Sequence, residues 1–178
     1  NPPGDVSRVM WPAFAKAAGI APDAVSFVNV GPTAKIAALK SHTVDIISDF
    51  YNEHDLKVIE FGSDLGHVNW KDIGLNPYGN SLIVNGAYLA KNPKLVEEFV
   101  KISQKAYAAC VADVAPCLMT DEFTTTKALG WIDADRMKKD YELVQTYLGM
   151  EKPFDVNTAF TTKMLDMSIK MDASKVKK

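Results

Sequence analysis

Several features that mark particular protein classes are missing from this chain. Its 178 residues include two cysteines, too few for a disulfide scaffold or a four-cysteine zinc site. No apolar run approaches the roughly 18 residues that a membrane-spanning helix needs. The 20 basic and 22 acidic side chains nearly cancel, so we expect no nucleic-acid partner. The composition, 47% hydrophobic and 24% charged, is that of one globular domain or of a domain and a fraction.

The start of the chain carries no recognisable targeting signal. Residues 1–5, with the sequence NPPGD, have neither the basic nor the apolar segment of a signal peptide, and no initiator Met precedes them. We therefore expect a processed or truncated chain, and the first residues give no prediction of its location in the cell.

The first half of the chain alternates between helical and strand-like segments. Asp5 or Ser7 is placed to cap a helix that runs to about residue 18, where Gly19 ends it. Short apolar or β-branched runs predict strands at 25–30, 44–47 and 56–61, and Pro32 opens a helix between the first two. This alternation is typical of a parallel sheet covered by helices.

The second half is predicted to be mostly helical. A glycine-rich connector at 62–80 leads to a return strand at 81–85. Helices are then predicted from Asn92 to Pro116, over 120–129, from Asp133 to 147, and from Asn157 or Thr158 onward. These helices need an apolar surface to cover, and the second half has too few strands to supply one.

Three motifs, in this order, resemble the substrate-binding proteins of bacterial ABC importers. They are the strand, helix and strand in VSFVNVGPTAKIAALKSHTVDII, the return strand in NPYGNSLIVN, and the helix in AYLAKNPKLVEEFVK. The resemblance covers nearly the whole chain. It is closest to the branch that contains the alkanesulfonate, taurine and thiamine-pyrimidine binders.

The resemblance implies a type II periplasmic-binding-protein-like α/β fold with two lobes and a ligand cleft. Residues 1–80 would then form most of the second lobe without its first strand, and residues 81–178 the return strand and helices of the first lobe. The N-terminal part of the first lobe would be missing, so we expect a separate N-terminal fragment or a second copy to complete the fold. The resemblance also implies a periplasmic or extracytoplasmic location.

Ligands of open α/β sheets bind beyond the carboxyl ends of the strands, where three loops of this chain are predicted to lie. The first loop holds Asp5 and Ser7; the alternative is that Asp5 only caps the helix. The second holds Thr33, for which the alternative is a plain helix start. Asp5 stands where sulfonate binders of the family tend to place Gly or Ser, which weakens the prediction of an anionic ligand.

The third loop, after the strand predicted at 44–47, is the most informative. It places an acid, two aromatic rings and an amide at a strand end, which suits a cleft that stacks a flat ligand and binds its polar edge. The loop consists of Ser48, Asp49, Phe50, Tyr51 and Asn52. Asp49 and Tyr51 are the strongest candidates. The alternative is that Phe50 packs in the core and Asp49 caps a turn.

Tyr78 and Asn80 precede the return strand, at the hinge and cleft wall of a two-lobe binder. Tyr78 is placed to close over a ligand, and a β-turn around Pro77 is compatible with that role.

Residues 53–55, directly after the third loop, have metal-binding side chains. Adjacent residues point in different directions, however, so we predict a polar loop and no metal. For Cys110 and Cys117 the sequence is compatible with two states, a small disulfide and two free thiols.

We expect a solute-binding protein that captures a small organic molecule, heteroaromatic or amine-bearing, and delivers it to the membrane subunits of an ABC importer. No catalytic residue and no cofactor is predicted. One alternative is an enzyme of the thiamine-pyrimidine synthase type on the same fold, although this chain lacks the closely spaced cysteines of such enzymes. Another is a ligand-sensing domain.

Overall fold

Helices and irregular segments make up the part of the chain that the structure describes. A computed structural model describes residues 2–50, 53–113, 122–172 and Ser174, with backbone alone at 54–56 and 110–113. Its α-helices are α1 (Val6–Val9), α2 (Trp11–Ala18), α3 (Lys35–Lys40), α4 (His54–Phe61), α5 (Gly86–Lys91), α6 (Pro93–Asp113), α7 (Glu122–Thr126) and α8 (Ala134–Tyr147). Short 3-10 helices lie at Pro32–Ala34, Gly62–Asp64, Trp70–Ile73 and Val156–Thr158.

Local sequence chemistry sets the ends of α1 and α2. Asp5 caps α1 as predicted, because its carboxylate accepts a hydrogen bond from Ser7 N at 2.9 Å. Gly19 ends α2 with a φ of 69°, a left-handed conformation that glycine adopts without steric cost. The single helix predicted here is nevertheless two helices, because Pro12 has no N–H to bond the carbonyl four residues earlier.

Three further helix starts confirm predictions made from nearby residues, and one helix end lies beside a glycine. Pro32 opens the 3-10 turn that leads into α3, and Pro93 is the first residue of α6. Asp133 caps α8, since its carboxylate accepts from Arg136 N at 2.9 Å. Gly149 follows α8 with a φ of 67°. Each of these signals lies within about one turn of the boundary that it sets.

The described residues form no β-strand. The segments 25–30, 44–47 and 81–85, predicted as strands, are irregular, and 56–61 is helical. A strand exists only where a neighbouring strand takes up its backbone hydrogen bonds, and the described ranges contain no such neighbour. The two-lobe α/β expectation is therefore not confirmed by this part of the chain.

α4 replaces the strand predicted at 56–61. Lys57 donates to the carboxylate of Glu53, four residues earlier, at 2.9 Å. Side chains at this spacing meet on a helix surface, whereas they lie far apart along a strand. Gly62, with a φ of 61°, ends the helix.

The helix predicted beyond residue 157 is also wrong. A 3-10 turn at Val156–Thr158 is followed by turns and bends. The amide of Asp166 donates to Gln104 Oε1 at 2.9 Å, and the amide of Met171 donates to Thr124 O at 2.9 Å. These long-range bonds use the N–H groups that a helix would bond internally.

The chain divides into two compact units. The first comprises Asn1–Pro77 and Asp140–Pro153, and the second comprises Tyr78–Lys139 and Phe154–Lys178. The division into 1–80 and 81–178 stays a prediction. Among the described helices, none is both long and apolar enough to cross a membrane.

Each unit has a small buried centre. In the first unit Met10, Ala13 and Ala15 are buried. Two rings of α2 belong to a chain of aromatic contacts with centroid separations of 5.5 to 6.1 Å, which runs in the order Phe27, Trp11, Phe14 and Trp70.

In the second unit the buried side chains of Leu129 and Met171 pack together, with Ala108 of α6 against them. This contact joins α6 to the segment after α7 and to the C-terminal segment. The apolar centre of the second unit is thus built from three stretches of chain far apart in sequence.

Candidate functional site

Lys35, the first residue of α3, joins two of the predicted ligand loops in the first unit. Its ammonium group donates to Ser48 O at 3.2 Å and lies 3.8 Å from Asp5 Oδ2. The Lys35 and Asp5 side chains are only 15% and 19% exposed. A largely buried ammonium group needs protein oxygens in place of water, so Lys35 holds the first and third loops together.

The second predicted loop leads directly into the same lysine. Thr33 lies in the 3-10 turn Pro32–Ala34, immediately before α3, and its side chain is exposed. Ser7 is half-buried, and its backbone N–H is already bonded to Asp5. The structure therefore connects Asp5 and Ser48 through one side chain and places Thr33 two residues from it.

A second lysine binds the acid of the third loop. Lys57 Nζ lies 2.7 Å from Asp49 Oδ2 and 2.9 Å from Glu53 Oε2, and its side chain is 12% exposed. Burial by itself lowers the pKa of Lys57, but hydrogen bonds and charges from Asp49 and Glu53 outweigh burial, so this pKa is raised above its usual 10.5. Lys57 is therefore charged at neutral pH.

In the third loop, the Asp49 carboxylate is held by protein partners, whereas the Phe50 ring is exposed. Asp49 Oδ1 accepts from Phe50 N at 2.8 Å, while the other carboxylate oxygen pairs with Lys57. The Phe50 side chain is 53% exposed, so the alternative that it packs in the core is wrong. An exposed ring beside a fixed carboxylate suits a flat molecule with a polar edge.

We call the five charged side chains around these loops the acid–lysine cluster. It consists of Asp5, Lys35, Asp49, Glu53 and Lys57. Three carboxylates stand against two ammonium groups, which leaves one net negative charge. By Coulomb's law this balance favours an amine or a ring N–H over a sulfonate.

Some residues that were singled out in the sequence lie outside the described residues. These are Tyr51 and Asn52 of the third loop, the side chains of His54 and Asp55, the side chain of Cys110, and Cys117. The described part of the chain contains no group of three His, Cys, Asp or Glu side chains that could hold a metal ion.

In the second unit, Tyr78 holds the start of α8. Its hydroxyl oxygen accepts a hydrogen bond from Asp133 N at 2.7 Å, and the guanidinium carbon of Arg136 lies 4.0 Å from its ring centre. Asn80 is exposed. Tyr78 thus has structural partners within its own unit, and the roles of Tyr78 and Asn80 at a ligand stay predictions.

Neither lysine of the acid–lysine cluster was predicted from the sequence. A lysine on a short helix is usually a solvated side chain, so composition alone gives it no weight. The spacing of Glu53 and Lys57, four residues apart, was the available signal for a helical ion pair. For Lys35 the only local signal is its position in the helical turn that follows Thr33.

Comparison with known proteins identifies the family of this chain. Residues 2–115 match the sequence profile of the family described as NMT1/THI5 like. None of the curated proteins and none of the solved structures matches the chain. The matched range includes α1 to α6 and every residue of the acid–lysine cluster. Because the match covers more than half of the chain, the chain belongs to the NMT1/THI5-like family.

Proposed function

We propose that this chain is the extracytoplasmic solute-binding component of an ABC importer. The family includes ABC substrate-binding proteins and thiamine-pyrimidine synthases, so membership supports the binding of a small molecule. The finer proposal is that a small organic molecule is captured in a two-lobe cleft and delivered to the membrane subunits. The observation that carries it is the Lys35 contact, which links loops predicted independently as ligand loops.

The ligand in this proposal carries an amine or a flat heteroaromatic ring. The acid–lysine cluster has an excess of one carboxylate, and an exposed phenyl ring stands next to Asp49. A ligand amine would compete with Lys57 for the Asp49 carboxylate, and the ring of Phe50 would stack on the ligand. Ser48, Thr33 and Ser7 would supply neutral hydrogen-bonding groups, together with Tyr51 and Asn52.

The test is calorimetric titration of the purified chain with a panel of aminopyrimidines and aminopyridines, and with alkanesulfonates of similar size as comparators. We expect binding of an amine-bearing heteroaromatic with one ligand per chain. Asp49→Ala should weaken this binding by roughly 1–3 kcal/mol, or about 5- to 150-fold. Asp23→Ala, at an exposed acid away from the three loops, is the control and should leave the affinity unchanged.

Two results would contradict this proposal. Preferential binding of a sulfonate would overturn the ligand class, and equal affinities for the Asp49→Ala and Asp23→Ala variants would remove Asp49 from the site. The same samples, incubated with iron and analysed for new products by mass spectrometry, test the synthase alternative. Chemical conversion of a bound molecule would replace the importer proposal by an enzyme.

A further inference from the structure

α6 carries an exposed apolar stripe along one of its sides. Leu95, Phe99 and Ile102 are 58%, 59% and 63% exposed, and Ala106 continues the same stripe. Successive spacings of four, three and four residues place these side chains on one face of a helix. On the opposite face, Gln104 is buried and Ala108 packs against Leu129 and Met171.

The stripe is symmetric about its own midpoint, which lies halfway between Phe99 and Ile102. When two α6 helices run antiparallel about a two-fold axis at this midpoint, Phe99 of each copy lies opposite Ile102 of the other. Leu95 then lies opposite Ala106, so a large side chain meets a small one at both ends. A two-fold interface requires such self-complementarity, because the same patch is used by both subunits.

Charges at the edge of the stripe have nearly the same symmetry, since the midpoint of Glu98 and Lys105 lies one residue from the midpoint of the stripe. Glu98 and Lys105 are both exposed and lie along one edge of the stripe, seven residues apart. In an antiparallel pair this edge faces the corresponding edge of the other copy. Glu98 of each copy then lies near Lys105 of the other, and opposite charges meet twice across the axis.

We propose that two copies of this chain associate through α6 as an antiparallel pair. Leu95, Phe99 and Ile102 form the apolar centre of the contact, and two Glu98–Lys105 pairs flank it. The stripe is much smaller than the 20 to 30 residues per partner of a standard interface, roughly by a factor of five. The association is therefore reversible and depends on protein concentration. It is independent of the ligand proposed for the first unit.

Sedimentation equilibrium over about 1 to 200 μM chain tests this proposal, since that range brackets a micromolar dissociation constant. We expect the average mass to rise from 19.5 kDa toward twice that value as the concentration increases. Ile102→Asp should weaken the association at least about 30-fold, because it places a carboxylate in the apolar centre. Ile59→Asp is the matched control, since Ile59 is 83% exposed on another helix, and should leave the association unchanged.

Charge exchange tests the antiparallel arrangement without disturbing the apolar stripe. Glu98→Lys and Lys105→Glu should each weaken the association, and the double variant should restore it, because opposite charges again meet across the axis. Far-ultraviolet circular dichroism verifies that every variant retains its helical content. The proposal would be overturned if the chain kept the monomer mass of 19.5 kDa at all concentrations. Binding of a different polypeptide to the stripe would not rescue it. Dimers that tolerate Ile102→Asp, or a double variant without recovery, would also overturn it.

Discussion

Gln104 and Asp166, 62 residues apart, are hydrogen-bonded in both directions. Gln104 Oε1 accepts from Asp166 N at 2.9 Å, and Gln104 Nε2 donates to Asp166 O at 3.3 Å and to Leu129 O at 2.8 Å. The Gln104 side chain thus joins α6 to the C-terminal segment in the way that one strand joins another. Because Gln104 is only 4% exposed, water has little access to replace these bonds.

Gln104→Leu should lower the free energy of unfolding by about 2–3 kcal/mol. The variant keeps the volume of the side chain but leaves Asp166 N and Leu129 O without their partner in a poorly solvated place. Urea denaturation followed by circular dichroism measures the change. Gln145→Leu is the control because Gln145 is exposed on α8, and equal stabilities of the two variants would contradict the role of Gln104.

The carboxylate of Asp166 should titrate at an unusually low pH. The Ser168 hydroxyl at 2.6 Å contributes most, followed by Lys101 at 3.0 Å and then the Ser168 amide, and they lower the pKa of Asp166 from 3.8 to about 2. Ser168→Ala should raise the Asp166 pKa toward 3.8. Carbon-detected NMR of the side-chain carboxyl measures it directly.

The sign of the accompanying stability change follows from this lowered pKa. Because Asp166 binds a proton less readily when folded, its contribution is fully present above the unfolded pKa, near 3.8, and is lost as the pH falls through about 2. Ser174→Ala is the matched control, since Ser174 makes the same pair of bonds to Asp172. The assignment to Ser168 would be contradicted if the Asp166 pKa were the same in Ser168→Ala and Ser174→Ala.

Lys57→Met should destabilise the chain by about 1–2 kcal/mol, because it leaves the Asp49 carboxylate without its cation in a half-buried position. Lys40→Met is the control. Lys40 pairs with Glu60, but the two side chains are 48% and 39% exposed, so this loss should stay below about 1 kcal/mol. Chemical denaturation at pH 7 compares the two variants.

The contribution of Lys57 also has a defined pH window. Its folded pKa is raised, so the stabilisation is fully present below about pH 10.5 and is lost as the pH rises through the folded value. The difference in stability between the unmodified chain and Lys57→Met should therefore shrink in strongly alkaline solution. A difference that is constant from pH 7 to 12 would show that Lys57 acts through packing alone.

Tyr78→Phe should destabilise the start of α8 by about 0.5–1.5 kcal/mol, since it removes the oxygen that accepts from Asp133 N and keeps the ring under Arg136. Hydrogen exchange of the amides in the first turn of α8 should become faster. Tyr88→Phe is the control, because Tyr88 is 48% exposed on α5. If the amide exchange rates in the first turn of α8 were unchanged in Tyr78→Phe, the hydroxyl of Tyr78 would not stabilise α8.

Several helix boundaries were predictable from the sequence, whereas strands were not. Asp5, Gly19, Pro93 and Asp133 act on backbone groups within about one turn, so the sequence nearby contains all of the relevant chemistry. A strand depends on a neighbour whose position no local pattern reports. The same limit applies beyond residue 157, where Gln104 bonds the backbone of Asp166 from 62 residues away.

The candidate site was predictable in part, for a related reason. Asp5 was identified at a predicted helix start, and Ser48 and Asp49 were identified after an apolar run predicted as a strand; the structure connects Asp5 with Ser48 through Lys35. Lys35 and Lys57 were missed because a lysine reveals its role only through the oxygens that surround it in three dimensions. Burial of a charged side chain is a tertiary property, so spacing alone could indicate the Glu53–Lys57 pair at most.

The two lysines of the acid–lysine cluster also determine how the protein can be labelled. Acylating reagents attack neutral, accessible amines, whereas Lys57 is held charged between two carboxylates and Lys35 is shielded against a backbone oxygen. Dyes or sensor surfaces coupled through amines will react first with exposed lysines such as Lys16 and Lys91. A sample immobilised in this way therefore keeps its ligand loops unmodified and ready for binding measurements.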